Sequence, residues 1–423
     1  MPPTIGDQKL STAIVLRIFV PFGLGYFLSY LYRAVNAVIS QDLAQDIGLT
    51  AADLGLLTSA YFLAFALFQL PLGVLLDRFG PRRTETALLV VAAAGAGLFA
   101  IADSVSMLTM GRALIGLGVS ACLMASFKAF VIWFPTERLP LANGVIMTAG
   151  GLGAMMATAP VEMALHVFDW RSIFAALSVA TLLVGFLLYT TVPDKTKPRT
   201  NASWREEIGG VFQVFSSPVF WRIAPVTLMS QASFMSVQSL WAGPWLRDVA
   251  GLDRGSVADT LFLTATAMVT GFLLLGTAAD RASKKGIQPM IIAICGMVIF
   301  MLSQAGLLIS GYIELRSSTL VIANWAIFGF FGTVGIIPYA VLTQSFAPHL
   351  AGRVTTALNF LVFMGAFAAQ LGVGVIVSLW PLEDTDGYSP QGYLTAFAVL
   401  LGLQFAGLFW FAIFRNRDTS PQT

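Results

Sequence analysis

The chain has 423 residues, 57% of them hydrophobic and only 11% charged, with a formal net charge of +2. A mean hydropathy of +0.79 is too high for an ordinary soluble domain and places the chain in a bilayer. The near-neutral balance gives no reason to expect a nucleic-acid partner. The two cysteines, Cys122 and Cys295, lie inside apolar runs and suggest neither a disulfide framework nor a metal site.

Apolar runs of about 20 residues, the length that crosses a hydrocarbon core, begin near Thr12, Ala52, Thr84, Ser106, Leu139, Arg171, Arg222, Ser256, Ile287, Ser317, Gly352 and Tyr393. They predict an all-α membrane protein of twelve transmembrane helices. Residues 1–193 form one six-helix bundle, 194–221 a cytoplasmic linker and 222–423 a second six-helix bundle. The first run is long and carries Arg33, so it reads as a span and not as a cleavable signal peptide. Placing both termini in the cytoplasm puts sixteen of the 24 Lys and Arg residues in cytoplasmic loops or tails. Only Arg171, Arg247, Arg254 and Arg316 then fall outside. The positive-inside rule favours this orientation, that of a multi-pass protein of the cell inner membrane.

In the first span Tyr26, Ser29, Tyr30, Arg33 and Asn36 step by three or four residues and share one helix face. An intramembrane arginine is costly and faces a water-filled cavity or a partner. Arg33 therefore either contacts an anionic substrate, with Tyr30 and Asn36 beside it, or snorkels to the outer headgroups. After the second span comes Gly73-x3-Asp77-Arg78-Phe79-Gly80-x-Arg82-Arg83, and about 203 residues later Gly276-x3-Asp280-Arg281-x2-Lys284-Lys285. Each copy ends an apolar run and opens a basic loop, the mark of two homologous membrane halves. These residues are gating candidates: Asp77 would pair across the repeat interface and stabilise an outward-open state. The alternative is that the basic loops only fix topology.

The fourth span carries Arg112-x3-Gly116-x-Gly118, with Lys128 about 160° away around the helix and able to snorkel. The fifth carries Gly150-Gly151-Leu152-Gly153, Ala159-Pro160 and Glu162. Proton coupling needs a group that changes charge in a low-dielectric site. Glu162 is the candidate, with Arg112 or Arg33 as alternate partner, and a solvated or structural Glu162 is the competing reading. The linker contains an amphipathic run around Trp204-Arg205-Glu206-Glu207, suited to the headgroup layer.

On the seventh span Gln231, Phe234, Gln238, Trp241 and Trp245 form a stripe, as do Asn324, Phe328, Phe331 and Gly335 on the tenth. Gln238, Trp241 and Asn324 are candidate substrate contacts. Such stripes also simply pack helices, and Trp245 fits an interfacial anchor. The acidic loop Glu383-Asp384-Thr385-Asp386-Gly387 lacks the remaining ligand positions of a calcium loop. His166 and His349 stand near span ends without a nucleophile or metal constellation, and there is no phosphate-binding Gly-x4-Gly-Lys-Ser/Thr motif. Neither an enzyme nor an ATP-driven pump is indicated, and no metal or other cofactor is expected.

The doubled loop motif, the twelve spans, the linker and the fourth-span motif resemble the major facilitator superfamily. The stretch Tyr30-Leu31-Tyr32-Arg33-Ala34-Val35-Asn36 resembles the first helix of its anion:cation symporters and organophosphate:phosphate antiporters, where an arginine meets an anionic substrate. Those symporters often place an acid directly before that arginine; here it is Tyr32. The resemblance implies a monomeric alternating-access transporter of a small organic anion, most simply a carboxylate, in proton symport. The Gly150–Gly153 and Ala159-Pro160 pattern is similar to that of drug/proton antiporters, so a drug or metabolite/proton efflux antiporter is the alternative.

Overall fold

The computed structural model describes residues 12–135, 138–194, 204–315, 319–347, 350–380 and 388–414. Ten helices in it are long and apolar enough to cross a membrane. One of them, Ala51–Ala100, holds two crossings, because the backbone leaves helical geometry at Gly80 (φ 78°, ψ 164°). The remaining crossing is broken into Pro218–Ser236, a π turn at Val237–Trp241, and Ala242–Asp248. The twelve expected crossings are all present.

In chain order the spans are Thr12–Ala34 continuing as Asn36–Ile47, the two arms of Ala51–Ala100, Val105–Val119 with Cys122–Trp133, Leu139–Met156 with Ala159–Leu165, and Trp170–Thr191. After the linker helix Trp204–Phe215 come the broken seventh span, Arg254–Lys284, Pro289–Tyr312, Thr319–Gly332 with Ile336–Gln344, Ala351–Ser378 and Pro390–Ile413. The linker helix lies against the eleventh span, where Gly210 faces the Arg353 side chain. The basic residues Lys195, Lys197 and Arg199, together with Arg316, His349 and the acidic loop at 383–387, lie outside the described residues.

Three of the spans that start on the face opposite the linker, the second, sixth and eighth, open with oxygen caps. Thr50 and Asp53 form a capping box on the second span. Asp169 accepts from Ser172 N at 2.8 Å, and Asp253 accepts from Ser256 N at 3.1 Å and from the Ser256 hydroxyl at 2.6 Å. The serine bonds hold both aspartates below the usual carboxylate range. Their contribution is therefore complete at neutral pH and fades as pH falls through the acid range. On the linker face the seventh and ninth spans begin instead with Pro218 and Pro289, whose missing N–H costs nothing in a first turn.

The glycines of the fourth-span motif are packing devices. A methyl at Gly116 would strike the Tyr61 backbone and one at Gly118 the Ala92 backbone, so only glycine lets these spans approach as they do. Arg112 sits within the same seam, fully buried, and its Nη1 donates to the Tyr32 carbonyl at 2.7 Å. It thereby props the turn of the first span that carries Arg33.

Gly80 has a backbone conformation essentially confined to glycine, which explains why the loop motif needs that residue between Phe79 and Pro81. Gly80→Ala is expected to destabilise the protein by about 1–3 kcal/mol, read as a lower Tm in detergent. Gly276→Ala in the second copy is the control: its backbone is helical and an added methyl meets nothing, so Tm should not fall.

Candidate functional site

Between the two halves lies a cavity of about 930 Å³. Its mouth is built from the linker-side ends of the spans: Gly144, Asp280, Ser283, Pro289, Thr343 and Thr355. Its inner wall carries Tyr26, Ser29, Tyr30 and Arg33 from the first span, Phe65 and Gln69 from the second, Gln231, Phe234 and Gln238 from the seventh, Tyr339 from the tenth, and Asn359 and Phe363 from the eleventh. Among the described residues Arg33 is the single basic side chain on this wall, and Asp280, at the mouth, the single acid.

Arg33 is 7% exposed. Its guanidinium carbon lies 4.5 Å from the Tyr30 ring centroid, 5.6 Å from Phe65 and 5.3 Å from Phe363. Phe65 and Phe363 stack on each other at 4.0 Å, joining the two halves beside the charge. Such faces attract a cation but do not neutralise it. Among the described residues no carboxylate pairs with Arg33, and its Nε is buried without a hydrogen-bond partner. The guanidinium is surrounded by aromatic rings and phenols, with amides elsewhere on the same wall.

The opposite face is closed. Arg254, at the start of the eighth span, donates from Nη1 and Nη2 to both oxygens of Asp42 at 2.9 and 2.8 Å, and from Nε to Glu162 at 2.5 Å. Asp42 belongs to the first span and Glu162 to the fifth, so one guanidinium ties the second half to two elements of the first. Nearby the Ala51 N–H donates to the Tyr388 hydroxyl at 2.5 Å, and Gly243 packs on the Ala37 carbonyl.

The structure separates the residues that sequence periodicity grouped. Arg33, Tyr30 and Gln238 line the cavity. Asn36 does not: the first span breaks at Val35, and Asn36 Nδ2 donates to Thr58 Oγ1 at 2.8 Å. On the seventh span the π turn inserts a residue into the helical count and shifts the phase. Trp241 consequently points into the eleventh span, its Nε1 donating to the Gln370 carbonyl at 3.3 Å, and Trp245 is buried against Trp325 and Phe397 instead of anchoring at an interface. Asn324 Nδ2 is turned to the ninth span, donating to the Ser303 carbonyl at 3.0 Å, while beyond the 3-10 turn Thr333–Gly335 it is Tyr339 that reaches the cavity.

Glu162 and Arg112 are not brought together: the first pairs with Arg254, the second with the Tyr32 carbonyl and the Tyr61 ring. Lys128, expected to snorkel, pairs with Asp77 within the same half. Arg82 and Arg83 gather on Asp194 and the Val192 carbonyl at the end of the sixth span, Arg78 lies over Phe79, and Asp280 pairs only with Lys284, one turn along its own helix. Gly73 is partly buried one turn before Asp77, and Arg281 is exposed. Among the described residues the side chains of the two motifs make no ion pair between the halves.

Sequence reasoning missed Asp42 and Arg254 as a pair, because nothing in spacing links positions 212 residues apart. It also missed Glu85. Placed at the first turn of the third span just after two arginines, that residue resembles a solvated helix start, yet it is 0% exposed. The legible signal was its register: Glu85, Leu89, Ala92 and Ala96 follow one buried stripe.

A fold of two six-helix halves around a central cavity is matched by independent comparison. The family model for the Major Facilitator Superfamily matches residues 22–370. The chain belongs to that superfamily. It is accordingly a membrane transporter and not an enzyme. It is 27% identical over 277 residues to a probable sulfoacetate transporter of Cupriavidus necator, a match covering 62% of this chain and 64% of that one. It is 23% identical over 416 residues to a hexuronate transporter of Bacillus subtilis, covering 94% and 95%. Among solved structures, a bacterial homolog of the human lysosomal transporter Spinster, inward-facing and occupied, superposes with a TM-score of 0.76 at 16% identity, covering 97% of this chain and 98% of that one.

Removing the Arg254 clasp is expected to open the closed face. In a background with Cys295 replaced by serine, Arg254→Gln should raise labelling of Ser40→Cys by a membrane-impermeant thiol reagent about tenfold, the effect of removing about 1.4 kcal/mol from the closed state. Ser40 is buried beside Glu162 and Arg254 in the starting structure.

Proposed function

We propose that this protein transports a small organic anion across the cell inner membrane by alternating access, in symport with protons, and that the carboxylate of the anion docks on Arg33. The observation that carries the reading is the buried guanidinium without a carboxylate partner on the wall of the central cavity. A planar fork of donors suits a carboxylate, which it holds through two parallel charge-assisted bonds. The amides of Gln69, Gln231, Gln238 and Asn359 and the phenols of Tyr26, Tyr30 and Tyr339 are placed to meet hydroxyl groups on the remainder of such a molecule. The names of the relatives, sulfoacetate and hexuronate transporters, agree with an organic anion. A lipophilic cation, as an efflux antiporter would carry, meets the like charge of Arg33.

With the linker face assigned to the cytoplasm by the positive-inside rule, we read this conformation as inward-open, with Arg254, Asp42 and Glu162 closing the opposite side. Glu162 then belongs to the outer gate, and Arg112 holds the arginine-bearing turn of the first span in position. Asp77 and Asp280 would join the halves when the cytoplasmic side closes.

The test is ligand-dependent thermal stabilisation of the purified protein by D-glucuronate, sulfoacetate and lipophilic cations. A Tm rise with one of the anions is expected. Arg33→Ala should weaken that ligand by about 2 kcal/mol or more, roughly thirtyfold in Kd, and Arg33→Lys should not restore it fully. Stabilisation by lipophilic cations that survives Arg33→Ala would reverse the assignment.

A further inference from the structure

Glu85 is a fully buried carboxyl on the third span, and both of its oxygens lack a hydrogen-bond partner among the described residues. It occupies a notch in the first span made by Gly25, where a methyl group would collide with Oε1. The Cys122 thiol of the fourth span faces the same notch beside it. Tyr26 and Leu123, the neighbours of Gly25 and Cys122 in sequence, both face the cavity. The carboxyl thus sits one layer behind the cavity wall, at the seam of the first and fourth spans.

No charged partner reaches it from the surrounding helices. On the first span the nearest cation is Arg33, eight residues beyond Gly25, or about 12 Å along the helix. On the fourth span Lys128 is taken by Asp77. The sixth span packs on this stretch through Gly185, and its Tyr189 lies over Arg82. On the third span itself Arg82 donates to the Val192 carbonyl and Arg83 to Asp194. A buried carboxyl with no ion pair, and with a thiol as its one polar neighbour among the described residues, is a costly feature that needs a reason.

We propose that Glu85 is the proton-binding site of the transport cycle, carrying one proton for each anion held by Arg33. The inference rests on the anion-transport reading and names its coupling group. An ionised Glu85 and an anion on Arg33 would place two negative charges in one low-dielectric half of the molecule. Like charges there disfavour each other, so a proton on Glu85 favours the anion and, reciprocally, the anion favours the proton. That sign gives symport. It also supplies an acid to a chain that has Tyr32 directly before its cavity arginine.

The experiment uses the full-length protein in proteoliposomes with radiolabelled D-glucuronate, sulfoacetate and D-glucarate as probes. Wild type is expected to accumulate its anion about tenfold per unit of imposed pH gradient, the limit for one proton per anion. Glu85→Gln should lose that accumulation yet keep counterflow, which moves no net proton. Accumulation by Glu85→Gln equal to wild type would overturn the inference, as would wild-type anion accumulation indifferent to a pH gradient. Failure of wild-type counterflow with every probe would overturn the anion reading and the inference with it. Should Glu85→Gln lose counterflow too, infrared difference spectra decide. A protonated-carboxyl band that grows when the transported anion is added to wild type, and is missing in Glu85→Gln, upholds the site; no carboxyl band responding to the anion in wild type overturns it.

Discussion

The arrangement turns on one positive charge kept in the middle of an apolar molecule. Arg33 is 7% exposed, faces the cavity where the two halves meet, and is stabilised by aromatic faces without being neutralised. Such a charge is expensive to bury and more expensive to leave uncompensated. The neighbouring structure is organised to hold it there. Arg112 pins the Tyr32 carbonyl, Gly116 and Gly118 draw the fourth span close, and Phe65 stacks on Phe363 across the halves. An anion that satisfies the guanidinium contributes in the closed state what it cannot contribute in water, which is how a ligand can bias a two-state machine.

The face opposite the linker shows the complementary principle. One arginine from the second half bonds two carboxylates from the first, and the helices meet through glycine at Ala37 and between Gly55 and Gly374. Polar links between halves can be exchanged for water during a cycle, whereas the apolar seams inside each half, such as the third and fourth spans packed through Gly95 and Gly111, cannot be opened cheaply.

Much of the architecture was legible in the sequence because its signals are local. Apolar length, the doubled Gly-x3-Asp-Arg motif and the bias of Lys and Arg among the loops all survive without knowledge of contacts. The candidate site was legible only as far as helical periodicity held. Tyr26, Ser29, Tyr30 and Arg33 share the cavity face as a regular helix requires, while Asn36 follows a break and Trp241 follows a π turn, and both leave the face. Local irregularities of backbone carry weak sequence signals, so a stripe read across them is wrong in phase. Ion pairs such as Arg254 with Asp42 depend on which spans become neighbours, and the notch at Gly25 that receives Glu85 depends on a single absent methyl group.

A structure of the protein determined with its transported anion bound addresses the central claim most directly. The carboxylate should lie within hydrogen-bonding distance of the Arg33 guanidinium, beside Tyr30 and the Phe65–Phe363 stack, with amides of the second half on the remainder of the ligand. Density for the anion elsewhere in the cavity, with Arg33 making no contact to it, would exclude Arg33 as the anion site.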